Sequence, residues 1–265
     1  MSENKQGTLP AQSYKYLVVS ALQGEMEAFY ATNSALAQRI PINRKLNVYQ
    51  TSIESKNWKQ IILTYTSTRM GMPHNSASIM QIIERYDPMY ILFIGTCASL
   101  KCKIAMGTVL VPKSVFNYEL GKSTSLGFSS DHAGHHMNKS ILEHAESISA
   151  SKPKPDWLNF DVVTDDDFSS GSVVVDNLFK KLWIRFRASR KTNGIDMEAY
   201  SLGVIQNLHP LKNVGVIKGV MDLGIGKSDE NKSKAMNNAA KFTYELICRI
   251  EEEDARALQL LSNGQ

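Results

Sequence analysis

The sequence predicts a single α/β domain built on a twisted, mostly parallel sheet. Two observations carry this. Nearly continuous apolar runs of strand length, such as Tyr16-Leu-Val-Val-Ser-Ala-Leu22, suit strands covered on both faces. These runs alternate along the chain with helical patterns, and no linker or internal repeat divides them.

Taken in order, the first apolar run feeds a helical pattern from about Glu25 to Gln38, closed off by Pro41. A strand near Gln60–Tyr65 precedes the turn Met70-Gly71-Met72-Pro73. The next helix carries Ile79, Ile82 and Ile83 on one stripe and stops at Asp87-Pro88, because proline cannot continue a helix. Strand Met89–Ile94 is expected to break at Gly95, and Gly107–Val111 to stop at Pro112. From 115 to 160, Gly, Ser, His and Asn dominate, apart from a weak helix at 138–150. Strand character returns at Phe160–Thr164. An apolar helix spans Ala199–Leu208, and the run Val214–Val220 ends at Met221-Asp222. An amphipathic helix then starts near Ser228. The domain is expected at 14–258, between a disordered polar leader at 1–13 and a frayed tail at 259–265.

Composition excludes several classes. Of 265 residues, 43% are hydrophobic and 21% charged, so the chain can build a core and is not of disordered type. The net charge of +4 is spread along the chain without a basic block, so no nucleic-acid arm is expected. Three cysteines, Cys97, Cys102 and Cys248, are too few for a disulfide framework or a four-thiolate zinc site. With no signal-like segment or membrane-length apolar run, a cytoplasmic protein without membrane partners is expected.

Some motifs fail on inspection. Gly224-Ile-Gly-Lys-Ser228 mimics the end of a phosphate-binding loop, but Met221 stands where the first glycine is required. Asp131-His132 with His135-His136 offers no clean fourth ligand, so no metal is expected. Cys97 lacks the glycines of a nucleophile elbow and reads as a small buried residue.

Ligands of open α/β sheets bind beyond the carboxyl ends of the strands, so acids found there are candidates. Glu25 follows the first strand, Asp222 ends the last one, and Asp196 and Glu198 lie in Gly194-Ile-Asp-Met-Glu198. Thr96 follows Gly95 at the end of a central strand. Any one of these acids alone reads equally well as a helix cap or surface charge.

As an ordered set, these segments resemble the nucleoside phosphorylase/nucleosidase superfamily, closest to its methylthioadenosine/S-adenosylhomocysteine nucleosidase branch. The residues that carry the resemblance are Ala21-Leu-Gln-Gly-Glu25, Gly95-Thr-Cys-Ala-Ser99, Gly107–Val115 with Tyr118–Lys122, Ser170–Val175, Ile195-Asp-Met-Glu198 and Lys218-Gly-Val-Met-Asp222. The resemblance implies a three-layer α/β/α sandwich with a mixed, mostly parallel central sheet. It also implies hydrolysis of an adenine nucleoside, with no cofactor and water as nucleophile.

Under it, Asp222 is the acid for the leaving base, burial being expected to keep it protonated. Glu25 activates the water, and Glu198 grips the ribose hydroxyls with Met197 on the sugar face. Thr96 and Ala98 belong to the substrate turn, and Val174, or Phe168 after a register slip, to the base pocket. Phosphorylases of this superfamily hold phosphate with arginines; here Glu25 and an apolar Phe93 occupy that region, which favours water. Departures from the pattern are Met221 for a serine, Ala98 and Ser99 for glycines, and Val174 for an aromatic; Asp165-Asp-Asp167 has no counterpart.

Two other readings remain open at this level. An AMP or ATP nucleosidase would meet phosphates with Lys218 and Lys122, and a sensor would bind a nucleoside without cleaving it. A homodimer is expected, with the His-rich loop at 128–137 as its contact.

Overall fold

The computed structural model describes residues 14–263, apart from 56, 57, 70, 126, 132, 133, 188–190 and 225–228. The expected leader at 1–13 therefore lies outside the described residues, as do His132 and most of the phosphate-loop mimic.

The chain opens with β1 (Tyr16–Ser20), α1 (Gln23–Tyr30) and a short 3-10 turn (Ser34–Ala37). There follow β2 (Ile40–Asn43), β3 (Val48–Glu54), β4 (Lys59–Thr66), α2 (Met72–Tyr86) and β5 (Tyr90–Ser99). The middle contains β6 (Val109–Leu110), β7 (Ser114–Asn117), β8 (Gly121–Thr124), β9 (Gly127–Ser130), β10 (Gly134–His136) and α3 (Lys139–Ala150). Next come β11 (Val162–Val163), β12 (Asp167–Ser170), α4 (Leu178–Arg187) and β13 (Thr192–Asp196). The chain closes with α5 (Ala199–Leu208), β14 (Asn213–Asp222) and α6 (Lys232–Asn263).

Among the described residues, twelve strands share one mixed sheet, and β8 with β9 forms a separate hairpin. The path runs β10-β7-β12-β13-β5-β1-β4-β3-β2, and β14 lies along β5. The central pairs β1–β4, β1–β5 and β5–β14 are parallel, as the apolar runs anticipated. Antiparallel β3–β4 and β13–β5 make the sheet mixed.

Strand alternation builds the three layers. Leu17 and Val19 of β1, with Ile91 and Phe93 of β5, pack under Ile79, Ile82 and Ile83 of α2 and Leu202 and Ile205 of α5. Their neighbours Tyr16, Val18, Leu92 and Ile94 face the other way, against Met26 and Phe29 of α1, Ile141 of α3 and Phe242 and Leu246 of α6. A third, smaller cluster joins Tyr118, Val175, Ile184 and Ile195 beneath α4.

Several boundaries differ from expectation. The helix expected over 25–38 stops at Tyr30, and the Asn33 side chain, which accepts from Ala35 N–H, starts a separate 3-10 turn. β2 and β3 form a hairpin where no strand was expected, and α4 was missed. The irregular middle contains β7 to β10, too short to show a period. Strand β5 does not break at Gly95 but runs on to Ser99, because β14 pairs with it through Asp222. At the carboxyl end α6 continues as helix to Asn263, past the expected frayed tail from 259, while Leu258, Leu260 and Leu261 stay exposed. The stop at Asp87 is as expected: it adopts a left-handed conformation (φ 47°) just before Pro88.

Candidate active site

The carboxyl ends of β1, β5, β13 and β14 converge on one cavity of about 150 Å3. Glu25, Thr96, Ala98, Val174 and Met197 all line it, with Glu198, Lys218 and Asp222.

Glu25 is buried in the first turn of α1. Its Oε2 accepts the Leu22 N–H at 3.1 Å, closing the start of the helix. Its Oε1 accepts the Thr96 N–H at 2.8 Å and the Thr96 hydroxyl at 3.1 Å. This approach requires Gly95, where a Cβ would stand 2.6 Å from Glu25 Oε1. The glycine expected to end a strand instead makes room for a carboxylate.

Asp196 and Glu198 sit where β13 turns into α5. Asp196 Oδ1 accepts the Ser170 hydroxyl at 2.8 Å and the N–H groups of Glu198 and Ala199 at 3.1 and 3.0 Å. Its Oδ2 faces the Lys218 ammonium at 3.2 Å. Glu198 Oε1 accepts the Gly71 N–H at 3.0 Å. Burial, helped by the Asp196 charge, pushes the Glu198 pKa up to about 7 against the pull of Lys218 and the Gly71 N–H.

Lys218, expected either to meet phosphate or to be solvated, is not solvated. It is 1% exposed, ion-paired with Asp196, and its Nζ lies 3.6 Å from the centre of the Phe93 ring. Burial opposes its charge, but Asp196, Glu25 and Glu198 outweigh that and hold it above the usual lysine range. Phe93 itself is core, its ring beneath this cation rather than lining the cavity. Lys122 is exposed on β8, away from the cavity lining.

Asp222 ends β14 just past a bulge in the β14–β5 register, between Val220 and Asp222. An extra residue there, Met221, re-aims the next side chain. Asp222 Oδ1 accepts the Gly224 N–H at 2.6 Å, so a backbone donor orients the carboxyl where the family pattern has a serine. Its Oδ2 is buried and has no hydrogen-bond partner among the described residues. Nearby, buried Lys181 donates to the Leu223 carbonyl at 2.6 Å, and burial pushes its pKa down. Sequence reasoning missed Lys181 because α4 itself was missed.

Phe168 does not reach the cavity. On β12 it pairs with Gly194, and its ring fills the space a Cβ at Gly194 would occupy. The strand period turns it into the core, fully buried, so it is no substitute for an aromatic at Val174. Val174 borders the cavity and is half exposed.

Cys97 lines the cavity, but burial raises its thiol pKa well above the ordinary value, which makes it a poor nucleophile. No cluster of metal-binding side chains occurs among the described residues. His136 hydrogen-bonds Ser114, and His135 packs on Tyr200. No helix of the described residues is long and apolar enough to cross a membrane.

A sequence model of the Phosphorylase superfamily matches residues 15–251. The 5′-methylthioadenosine/S-adenosylhomocysteine nucleosidase of Staphylococcus haemolyticus is 23% identical over 203 residues, 72% of this chain and 81% of the relative. The structure of Helicobacter pylori 5′-methylthioadenosine/S-adenosylhomocysteine nucleosidase superposes with a TM-score of 0.71 at 18% identity, over 89% of this chain and 99% of that one. A futalosine hydrolase mutant from Helicobacter pylori superposes equally well, at 0.71 and 16% identity, over 88% of this chain and 98% of that one. The chain belongs to the phosphorylase superfamily.

Proposed function

We propose that this phosphorylase-superfamily chain is a purine nucleosidase. It hydrolyses the N-glycosidic bond of an adenine nucleoside such as methylthioadenosine or S-adenosylhomocysteine, the substrates named for its relatives. The observation that carries this reading is the division of the cavity between two kinds of carboxyl. Glu25 is held against β5 through Thr96, while Asp222 keeps one buried oxygen without a partner among the described residues.

In the reaction, the C1′–N9 bond breaks and its electron pair passes to the purine. Asp222 delivers a proton to N7, so the base leaves neutral. Positive charge develops on the sugar, close to the carboxylates of Glu25 and Glu198. Glu198 accepts from the ribose hydroxyls, with Met197 against the sugar face. Water adds to C1′ and gives up a proton to Glu25; the products are adenine and the free sugar. One carboxyl serves the leaving group and another the water, as in an inverting glycosidase.

Water, rather than phosphate, is favoured by charge. The cationic side chain lining this cavity among the described residues is Lys218, already neutralised by Asp196. A phosphate dianion would lie beside the Glu25 and Asp196 carboxylates without a free cation to receive it. The same fact disfavours AMP or ATP as substrate. We also propose that the protein works as a homodimer in the cytoplasm.

The test is adenine release, followed by chromatography in phosphate-free buffer. The panel is methylthioadenosine, S-adenosylhomocysteine, adenosine, AMP and ATP, each with and without added phosphate. Phosphate-independent release from the first two supports the proposal. Release only with phosphate, or from none, overturns it.

A further inference from the structure

Behind the reaction cavity lies a second, larger one of about 790 Å3, within the size range of small-molecule sites. The two share a single layer of small side chains, Val173, Val174 and Val175. This wall is pinned from behind. The Tyr118 hydroxyl donates to the Val173 carbonyl at 3.0 Å, and the Ser172 N–H donates to Glu119 at 2.6 Å. Tyr118, Phe128 and Trp183 line the far side; the last two rings are 5.7 Å apart, tilted at 48°. The Lys180 ammonium lies 4.8 Å from the centre of the Trp183 ring and 5.3 Å from that of Tyr118.

The wall stands at the Asp222 end of the reaction cavity. Gly224, whose N–H is bonded to Asp222, lies with its Cβ direction 3.8 Å from the Val175 carbonyl. In a purine, N7 and the C6 substituent share one edge. An acid directed at N7 therefore aims that substituent at the valine wall and the aromatic cavity behind it.

We infer that the aromatic cavity is a subsite for a planar, apolar group carried on the C6 amine of the purine, so that the preferred substrates are N6-substituted adenine nucleosides. The inference rests on the proposed nucleosidase reading, because Asp222 at N7 sets the orientation of the base. Aromatic faces give such a group its surface, and Val173 and Val174, small and exposed, border both cavities. The exposed side chain of Phe179 marks the rim.

The experiment compares base release from adenosine, N6-methyladenosine and N6-benzyladenosine by the full chain, with sedimentation velocity on the same samples. The expected result is a kcat/KM for the benzyl compound at least tenfold above that for the methyl compound. Trp183→Ala or Val174→Trp should bring that ratio below about threefold. Hydrolysis of adenosine with no preference for benzyl overturns the subsite and leaves the nucleosidase reading standing. If no nucleoside is hydrolysed, the nucleosidase reading fails, and quenching of tryptophan fluorescence by N6-benzyladenine against adenine decides. Binding of the benzyl base at least tenfold tighter, lost in Trp183→Ala, retains the subsite, and equal binding overturns it. A wild-type dimer that Phe179→Glu converts to monomer, without benzyl preference, assigns the cavity to subunit contact and overturns the proposal.

Discussion

The two ends of the reaction cavity are built differently. At the Glu25–Glu198 end, carboxylates are held by backbone N–H groups of elements distant in sequence: Thr96 for Glu25 and Gly71 for Glu198. Beside them a buried lysine, Lys218, is ion-paired with Asp196. At the Asp222 end, one donor two residues away orients the carboxyl, and the adjoining wall is three valines, two of them exposed. Glu25 and Glu198 are thus embedded at the sheet, where a small shift breaks several bonds at once. The valine wall belongs to a loop, where side chains change at little cost to stability.

The largest effect should come from the least supported carboxyl. Asp222→Asn is expected to lower kcat by about 10²–10⁴-fold, the range of general acid catalysis, while calorimetry shows nucleoside affinity retained. Loss of affinity together with turnover would make Asp222 a binding group instead. Gly95→Ala should cost about 10²-fold in kcat, because the added methyl meets Glu25 Oε1 and dislodges it from Thr96. An unaltered kcat in a folded Gly95→Ala enzyme would show that Glu25 need not be held there.

The pH dependence tests the sugar end. In the proposed reaction Glu198 would accept hydroxyl hydrogens best when ionised, and its pKa lies near 7. kcat/KM should therefore fall about tenfold per pH unit below 7. Glu198→Gln should lower activity and remove that limb. The same shift bears on stability with opposite sign. The folded pKa is above the unfolded one, so folding favours the protonated form, and the penalty for ionising grows from about pH 4.5 to 7. Thermal melting should find Glu198→Gln stabilised relative to wild type at pH 8 and not at pH 4.

The smallest effect is expected at the wall. Val174→Phe should improve the KM for unsubstituted adenine nucleosides by up to about tenfold, the worth of an aromatic stack, with stability within about 0.5 kcal/mol. An effect on kcat as large as that of Gly95→Ala would erase the contrast between the two ends.

Much of this was legible in the chain itself. The parallel core strands announced themselves as apolar runs, and Pro88 after Asp87 marked the end of α2. Glu25 and Asp222 follow apolar runs, which places them at carboxyl ends of strands, and Glu198 lies in the short stretch that leads into the apolar helix at Ala199. Less regular pieces were not legible, for physical reasons. Strands of three or four residues, such as β7 or β10, show no period and exist because a neighbour completes their hydrogen bonds. Phe168 and Val174, both near Gly171, read alike as base-pocket candidates, yet pairing with Gly194 sends Phe168 into the core. Gly95 read as a strand end because its need to clear a carboxylate from α1 is a tertiary requirement.

By itself, then, the sequence determined the alternation of strands and helices and which acids stand at strand ends. Both follow from local period and from the order of residues along one chain. The burial that lifts the Glu198 pKa, the Lys218–Asp196 pair and the aromatic cavity behind the valine wall were decided only by tertiary structure. Each depends on groups far apart in sequence sharing one low-dielectric volume, where their charges and surfaces interact far more strongly than in water.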